Sequence, residues 1–549
     1  MAKKLKRQSF MQGVLAIMFS QVLIKILGLI YKLYLTNREG FGDEGNAIYS
    51  SGFQIYALLL TLSSIGVPGA ISKLVSERLA VGDGKGAHRI FKIAFVAFSM
   101  IGLCGTLILF FGAGYIANTI IGIPEAEYTL IALSPSIFFV ATASVIRGYF
   151  NGRENINISA NSQSLEQVFK TAFTIIIVEL IAITSGTSTV FMAAGANLAT
   201  TIASFLSFMY IYLYYTTRKK EVWQEVNSSV NYRPKRIKAI IKQILCVSIP
   251  MSLSSLMSAI NKNIDSLTVV RGLKNFLTET EAKIQYGILG GKVDTLTSLP
   301  LSFNIALATA LVPSIASAKM KGEKDVIIKR ISFSILITIL IGLPCTIGMF
   351  LFSEQILALL FPNARSGTIL LQISSFTIIF TVLSQTVNGA LQGLGKVLVP
   401  PIALGIGACV KLILNLVLIP IPEIGASGAA IGSVVCHTIS FIIAYIVLKK
   451  NLKLNLKLSK YIIKPLLATT MMGICALFVF FKMNPIIYNI VENYTMSENY
   501  LLAERITTII ALLVAIIIYV LSIISLKIFN EDDIQMIPYG KKIYKFLQK

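Results

Sequence analysis

The stretch that decides the fold is RGYFNGRENINISANSQSLEQVFKTAFTIIIVELIAI, residues 147–183. It begins as a basic, polar turn and continues into an apolar run, and it carries Glu166 and Lys170 on the way. Between Asn155 and Thr174 the polar residues recur every three or four positions, which places them on one face of a helix. The spacing therefore predicts a helix with one wet face that enters a membrane from a basic turn.

The composition of the whole chain is that of an integral membrane protein. Of the 549 residues, 55% are hydrophobic and only 14% are charged, with a mean hydropathy of +0.75, whereas soluble domains are about 25% charged. Apolar stretches of roughly 17–25 residues, the length that crosses a bilayer, recur along the sequence. We predict an all-α polytopic membrane protein with about fourteen transmembrane helices, near residues 12–35, 47–70, 90–112, 126–147, 157–183, 189–215, 243–270, 285–316, 329–353, 367–391, 397–420, 425–448, 461–482 and 503–528.

The basic residues are distributed unevenly between alternate loops. One set of loops, which includes both termini, holds 36 Lys and Arg residues and the other set holds 7, with the remaining 6 of the 49 inside spans. This asymmetry predicts that both termini lie in the cytoplasm. The net charge of +23 then reflects orientation and contact with anionic lipids, and not a nucleic-acid partner.

The sequence contains a weak internal repeat. A shift of 241 residues places Gly148 on Gly389, Gly152 on Gly393 and Lys170 on Lys411. The repeat predicts an N-lobe over 1–215 with spans 1–6, a basic cytoplasmic linker over 216–242, a C-lobe over 243–450 with spans 7–12, and spans 13–14 with a cytoplasmic tail over 451–549. Two parallel lobes with a site between them are the plan of many alternating-access transporters.

Polar and charged residues inside the spans indicate the cargo. Charged residues in a bilayer are costly, so those present are expected to face a cavity, and lysines outnumber carboxylates among them. A cationic cavity suits an anionic substrate such as a phosphate. The candidate cavity residues are Lys25, Lys32, Gln54, Glu166, Lys170, Lys262, Asp265, Lys292, Asp294 and Lys411.

Three of these lysines also have structural interpretations. Lys32 and Lys262 lie where a lysine can extend its ammonium group to the interface. Lys170 can pair with Glu166 one turn earlier, and Lys262 can pair with Asp265 in the same way.

Four segments carry a resemblance to a known family: LGLIYKLYL, IGVPGAISKLVSE, VIRGYFNGRENINISANSQSLEQVFK and VNGALQGLGK. Together they resemble the polysaccharide-biosynthesis branch of the multidrug/oligosaccharidyl-lipid/polysaccharide (MOP) exporter superfamily, and within it the stage V sporulation protein B and MurJ-like lipid II flippase group. The resemblance implies a MATE/MurJ-like fold of two six-helix lobes plus two C-terminal helices. It also implies a multi-pass protein of the bacterial cytoplasmic membrane that flips an undecaprenyl-pyrophosphate-linked sugar by alternating access.

The resemblance also bears on individual residues. Family members have arginines in the first span, and Lys25 and Lys32 stand in the matching segment, so the charge is kept without the arginine fork. Some relatives hold a sodium ion, for which Asp265 and Asn415 are partial counterparts. Lys411, one turn before Asn415, would compete with that ion.

The sequence leaves two rival functions open. One is a cation-coupled multidrug exporter of the same superfamily, and the other is a membrane-embedded glycosyltransferase or polymerase. No GxxxxGK[ST] motif occurs, so we expect no ATP-binding loop. We expect a monomeric protein that is not an enzyme, uses no cofactor, and has the lipid-linked sugar and membrane lipids as its partners.

Overall fold

The computed structural model describes residues 10–64, 66–153, 155–184, 186, 188–227, 229, 236–320, 322–452, 459–495 and 500–530. Over these residues the chain is helical and contains no β-strand. The prediction of an all-α polytopic protein is therefore confirmed. The predicted tail beyond residue 530 lies outside the described residues.

The helices follow one another with short connections. Before residue 295 they are α1 Phe10–Asn37, α2 Gly42–Ser64, α3 Val67–Ala80, α4 Gly84–Tyr115, α5 Ala126–Gly152, α6 Ile156–Thr184, α7 Thr189–Thr217, α8 Lys219–Asn227, α9 Ile237–Leu273 and α10 Glu279–Gly287. After it come α11 Asp294–Met320, α12 Lys324–Leu351, α13 Ser353–Leu360, α14 Thr368–Gly393, α15 Val399–Leu418, α16 Ser427–Leu452, α17 Lys464–Thr495 and α18 Tyr500–Ser525. π-helical turns occur at Ile116–Ile121, Ile288–Val293 and Ser459–Ile463.

Most of these helices are candidate membrane spans. Among the described residues, eleven helical segments are long and apolar enough to cross a membrane, and twelve if α9 is counted as one span bent by 54°. The predicted first and eighth spans fall on α1 and α11, helices of 28 and 27 residues that are not among those twelve.

The chain divides into two compact units. The first contains Met1–Thr295 and Ala408–Ala429, and the second contains Leu296–Gly407 and Ala430–Lys549. Each unit has its own apolar core: α3, α4 and α5 supply much of the first, and α12, α14, α17 and α18 much of the second. The division into lobes at 1–215 and 243–450 stays a prediction.

The glycines of the internal repeat have the same packing role in each unit. A Cβ on Gly152 of α5 would lie 2.7 Å from the carbonyl oxygen of Ser72 in α3. A Cβ on Gly393 of α14 would lie 2.8 Å from the carbonyl oxygen of Val312 in α11. The glycines one turn earlier on α5 and α14 approach α3 and α11 just as closely. The repeat therefore preserves a close contact between helix backbones, which needs a residue without a side chain.

Ion pairs join several of the loops that the charge count assigns to the non-cytoplasmic side. The Nζ atom of Lys283 lies 2.6 Å from Glu125 and 3.0 Å from Glu279. Lys274 also pairs with Glu279, at 3.2 Å. These contacts hold the start of α5 and the end of α9 beside α10 at one end of the first unit. Which face is cytoplasmic stays a prediction from the charge count.

Candidate substrate-binding site

Two buried lysines of the first unit lie on a shared set of aromatic rings. The Nζ atom of Lys32 on α1 is 4.6 Å from the ring centroid of Tyr49 on α2. The Nζ atom of Lys170 on α6 is 4.4 Å from the ring centroid of Phe53 and 5.2 Å from that of Tyr31. The rings of Tyr49 and Phe53 are stacked with centroids 5.9 Å apart, and the hydroxyls of Tyr31 and Tyr49 are 3.4 Å apart. We call these five residues the lysine cage.

Neither ammonium group of the lysine cage forms an ion pair with a carboxylate among the described residues, although the charges of Asp294 and Asp43 act on Lys32 from a greater distance. Lys32 is 5% exposed and Lys170 is 7% exposed, and their ammonium groups make no ion pair or hydrogen bond within the described part of the chain. Burying an unpaired ion costs several kcal/mol, of which a desolvated cation–π contact offsets about 2 kcal/mol. The cage is therefore suited to an anionic ligand, which would supply the missing counter-charge.

The predicted alternative for Lys170, a pair with Glu166, is not formed. Glu166 instead accepts a hydrogen bond of 2.9 Å from Nη2 of Arg147 on α5. The buried Arg147 guanidinium also donates to the hydroxyls of Ser162 and Ser207. Glu166 is thus part of a network that joins α5, α6 and α7, and this network leaves Lys170 to the cage.

Lys411 and Asp265 form a buried ion pair between α15 and α9. The Nζ atom of Lys411 lies 2.6 Å from Oδ2 of Asp265 and 3.1 Å from the carbonyl oxygen of Asn261. Asn415 donates to Oδ1 of Asp265 at 3.0 Å and to the Thr268 hydroxyl at 2.9 Å. The predicted pair between Asp265 and Lys262 is therefore wrong. The lysine also supplies the positive charge that a sodium ion would bring to Asp265 and Asn415.

Lys292 is likewise neutralised within the protein. It is fully buried, and its Nζ atom lies 2.9 Å from the carboxylate of Asp43 at the start of α2. In this pair and in the Lys411 pair, the charge of a predicted cavity lysine is balanced by a carboxylate of the protein. The Asp43 carboxylate is therefore paired within the protein. The same holds for Glu166, which pairs with Arg147, and for Asp265, which pairs with Lys411.

The remaining predicted residues lie at different depths. Lys25 is half-buried and Lys262 is exposed, and the two are close enough for their charges to interact. Gln54 ties α2 to α9 through its backbone, since its carbonyl oxygen accepts a 3.1 Å hydrogen bond from Asn263. Asp294 is half-buried and interacts electrostatically with four other predicted residues, Lys32, Lys262, Asp265 and Lys411.

The aromatic members of the lysine cage are what sequence reasoning missed. Tyr49 and Phe53 are four residues apart and Tyr56 follows three later, a helical spacing that places the rings on one side of α2. That stripe was a usable signal, although such stripes commonly form part of an apolar core. Asp43 was also missed as a site neighbour, because it precedes the predicted span.

The fold is similar to that of solved membrane transporters. It matches the solved structure of lipid II flippase MurJ in an inward closed conformation with a TM-score of 0.65 and 16% identity, over 93% of this chain and 98% of that one. The same fold is found in a solved multidrug resistance MATE family transporter of the MOP superfamily, with a TM-score of 0.65 and 16% identity over 80% of this chain and 98% of that one.

Family models and curated relatives agree with that class. The chain belongs to the polysaccharide biosynthesis protein family, whose model matches residues 10–319; the MatE model matches residues 291–417. Stage V sporulation protein B of Bacillus subtilis is 27% identical over 78% of this chain and 81% of its own length. Lipid II flippase MurJ of the same organism is 23% identical over 78% of this chain and 80% of its own length.

Proposed function

We propose that this protein is a flippase that carries an anionic, undecaprenyl-pyrophosphate-linked sugar, resembling lipid II, across the cytoplasmic membrane by alternating access. The observation that carries the proposal is the lysine cage, with two buried ammonium groups that lack carboxylate partners among the described residues. The similarity to relatives named as a lipid II flippase and a sporulation protein supports it.

The cage would bind the pyrophosphate of the substrate. Phosphate oxygens accept charge-assisted hydrogen bonds from Lys32 and Lys170, and such bonds are about twice as strong as neutral ones. Lys25 and Lys262 are more accessible and would attract the headgroup before it reaches the cage. The apolar tail would stay in the lipid, because moving it into a charged site has no favourable contact to offset the loss.

Two ion pairs of the first unit involve residues that the charge count assigns to the outer side, and they support a state closed on that side. Lys292 with Asp43, and Lys283 with Glu125, join α2 and α5 to the segment from α10 to the following π turn. These contacts would have to break for the headgroup to leave outward. Alternating access therefore requires that substrate binding and release shift the balance between paired and open arrangements.

Transport in proteoliposomes tests the proposal. The full chain would be reconstituted with a fluorescent, lipid-linked pyrophosphoryl disaccharide, and transfer between leaflets would be measured for the native chain and for Lys32→Gln and Lys170→Gln. Each variant should lower the rate about 10- to 100-fold, as expected for the loss of one hydrogen bond to a charged group. Lys450→Gln, an exposed lysine on α16, is the control and should transfer substrate normally. Equal rates in all four proteins would refute the cage as the substrate site.

A second candidate is a cation-coupled drug exporter, which the MatE match over residues 291–417 favours. Its cargo would be cationic, and the two unpaired ammonium groups of the lysine cage would repel it. The same proteoliposomes loaded with ethidium decide between the two. Extrusion of ethidium without transfer of the lipid-linked sugar would replace the flippase by the exporter.

A further inference from the structure

A cavity of about 530 Å³ lies between α11 and α12 in the second unit. Leu307 and Leu311 of α11 and Val326 and Phe333 of α12 form an apolar wall. Lys329 and Arg330 of α12 also line the cavity. It therefore has an apolar part and a basic part, which is the division of a phospholipid into chain and headgroup.

One nitrogen of the Arg330 guanidinium is held by hydrogen bonds, and the other two nitrogens remain available as donors. Its Nη1 atom donates to the carbonyl oxygen and to the hydroxyl of Ser314, both at 2.8 Å. Its Nε and Nη2 atoms make no hydrogen bond, and the guanidinium makes no ion pair, within the part of the chain that the structure describes. A guanidinium oriented in this way presents a fork that matches the oxygens of a phosphate.

The position of the cavity along the chain fits an anionic lipid. The loop over 319–330 belongs to the set of basic loops assigned to the cytoplasmic side, the side on which basic pockets between helices bind anionic headgroups. Phe303 and Ile305, before the cavity on α11, are 63% and 42% exposed, as expected for a lipid-facing surface.

We infer that this cavity binds an anionic glycerophospholipid, with the phosphate at Arg330 and Lys329 and an acyl chain along Leu307, Leu311 and Phe333. The site is separate from the lysine cage, which belongs to the first unit. A free inorganic phosphate could use the guanidinium but would gain nothing from the apolar wall. The lipid would brace the ends of α11 and α12 that are joined by the loop.

Binding of phosphatidylglycerol to the purified full chain in detergent tests the inference. Retained lipid would be counted by native mass spectrometry and its affinity measured by titration, for the native chain, Arg330→Gln and Lys329→Gln. Glutamine keeps an amide donor for Ser314 while it removes the charge. Each substitution should weaken binding about fivefold, the effect of one basic residue on an anionic lipid. Lys324→Gln is the matched control, because Lys324 is exposed on the same helix but does not line the cavity.

Several results would overturn the inference. One is binding of phosphatidylglycerol that is unchanged in both cavity variants. Another is equal retention of zwitterionic phosphatidylcholine, which would indicate an apolar groove without headgroup selection. Displacement of the lipid by millimolar inorganic phosphate would indicate a site for the free anion. Unfolding midpoints equal to that of the native chain would show that the variants are folded. Phe333→Ala keeps both charges, and it should also weaken lipid binding because it removes part of the apolar wall.

Discussion

Lys411 of α15 and Asp265 of α9 are joined by a 2.6 Å ion pair, so the second lysine of the internal repeat is neutralised by the protein itself. Its counterpart Lys170 lies on the rings of Phe53 and Tyr31 instead. The two copies of the repeat have thus kept the lysine at the same position and given it different surroundings. One lysine connects helices, and under our proposal the other binds an anionic cargo.

The Lys411 pair makes a prediction about sodium. In the native chain the ammonium group already balances Asp265, so the midpoint of thermal unfolding should be the same in sodium chloride and in choline chloride. In Lys411→Ala the carboxylate of Asp265 is left without its partner, beside the carbonyl oxygen of Asn261 and the hydroxyl of Thr268. The variant should lose about 3 kcal/mol of stability in choline chloride, as for a broken buried pair, and regain part of it in sodium chloride, because these are oxygen ligands.

The control for this prediction is the double variant Asp265→Asn with Lys411→Ala. It carries no carboxylate and should be more stable than Lys411→Ala and insensitive to sodium. A native chain that is itself stabilised by sodium but not by choline would contradict the assignment of Lys411 as the built-in counter-charge.

The lysine cage makes a prediction about energetic coupling. Phe53→Leu and Lys170→Met each remove one side of the cation–π contact, whereas the double variant removes both. We expect the effects on the free energy of unfolding to be non-additive by about 0.5–2 kcal/mol, the range for such contacts. Thermal or denaturant unfolding of the four proteins measures this coupling energy, and effects that add within about 0.3 kcal/mol would show that the contact is not formed.

The sequence predicted the helices and their polar faces better than it predicted the partners. The polar spacing after Asn155 correctly indicated that Glu166 and Lys170 share a helix face, because helical periodicity is a local property. The partner of Glu166 is Arg147. The charge count assigned Arg147 to a cytoplasmic loop, but it is a buried residue near the end of α5. Local periodicity contains no information on which neighbouring helix packs against that face.

The same reason explains the lysines of the candidate site. Asp265 is 146 residues from Lys411 and Asp43 is 249 residues from Lys292, so neither pair has a signal in the local sequence. Counting charges inside spans led to the proposal of an anionic cargo. It gave no way to separate paired lysines from the caged ones, since that distinction depends on tertiary packing.

The glycines of the repeat make a prediction about stability. Gly152→Ala and Gly393→Ala each place a methyl group within 2.8 Å of a backbone oxygen on the neighbouring helix, so the helices must move apart. Each substitution should lower the free energy of unfolding by about 1–3 kcal/mol, the cost of overpacking. Gly348→Ala in α12 is the control, because a Cβ there has no atom within 4 Å, and it should be neutral or stabilising by up to about 1 kcal/mol. Equal effects at the three positions would show that the close contacts are not what the glycines provide.

The ion pairs around α10 make a prediction about acid. Hydrogen bonds from Lys283, followed by those from Lys274, lower the pKa of Glu279 below its ordinary value of 4.5. The ionised form of Glu279 is therefore favoured by folding, and its contribution to stability is present above pH 4.5 and lost as the pH falls through the lowered pKa of the folded state. Glu279→Gln should reduce the unfolding free energy at pH 7 by about 0.5 kcal/mol, the modest value of a partly exposed pair.

The difference between the native chain and Glu279→Gln should shrink as the pH is lowered from 7 through the reduced pKa of Glu279, because the native carboxylate is then protonated and the two side chains become equivalent in charge. Thermal unfolding in detergent measures the stability of both proteins at each pH. The other acids titrate in both proteins, so their contribution cancels in the difference. Glu39→Gln serves as the control, since Glu39 is exposed and forms no ion pair with a described residue. A difference for Glu279→Gln that stays constant over this range, or one that Glu39→Gln reproduces, would show that the pairs with Lys283 and Lys274 do not stabilise this end of the first unit.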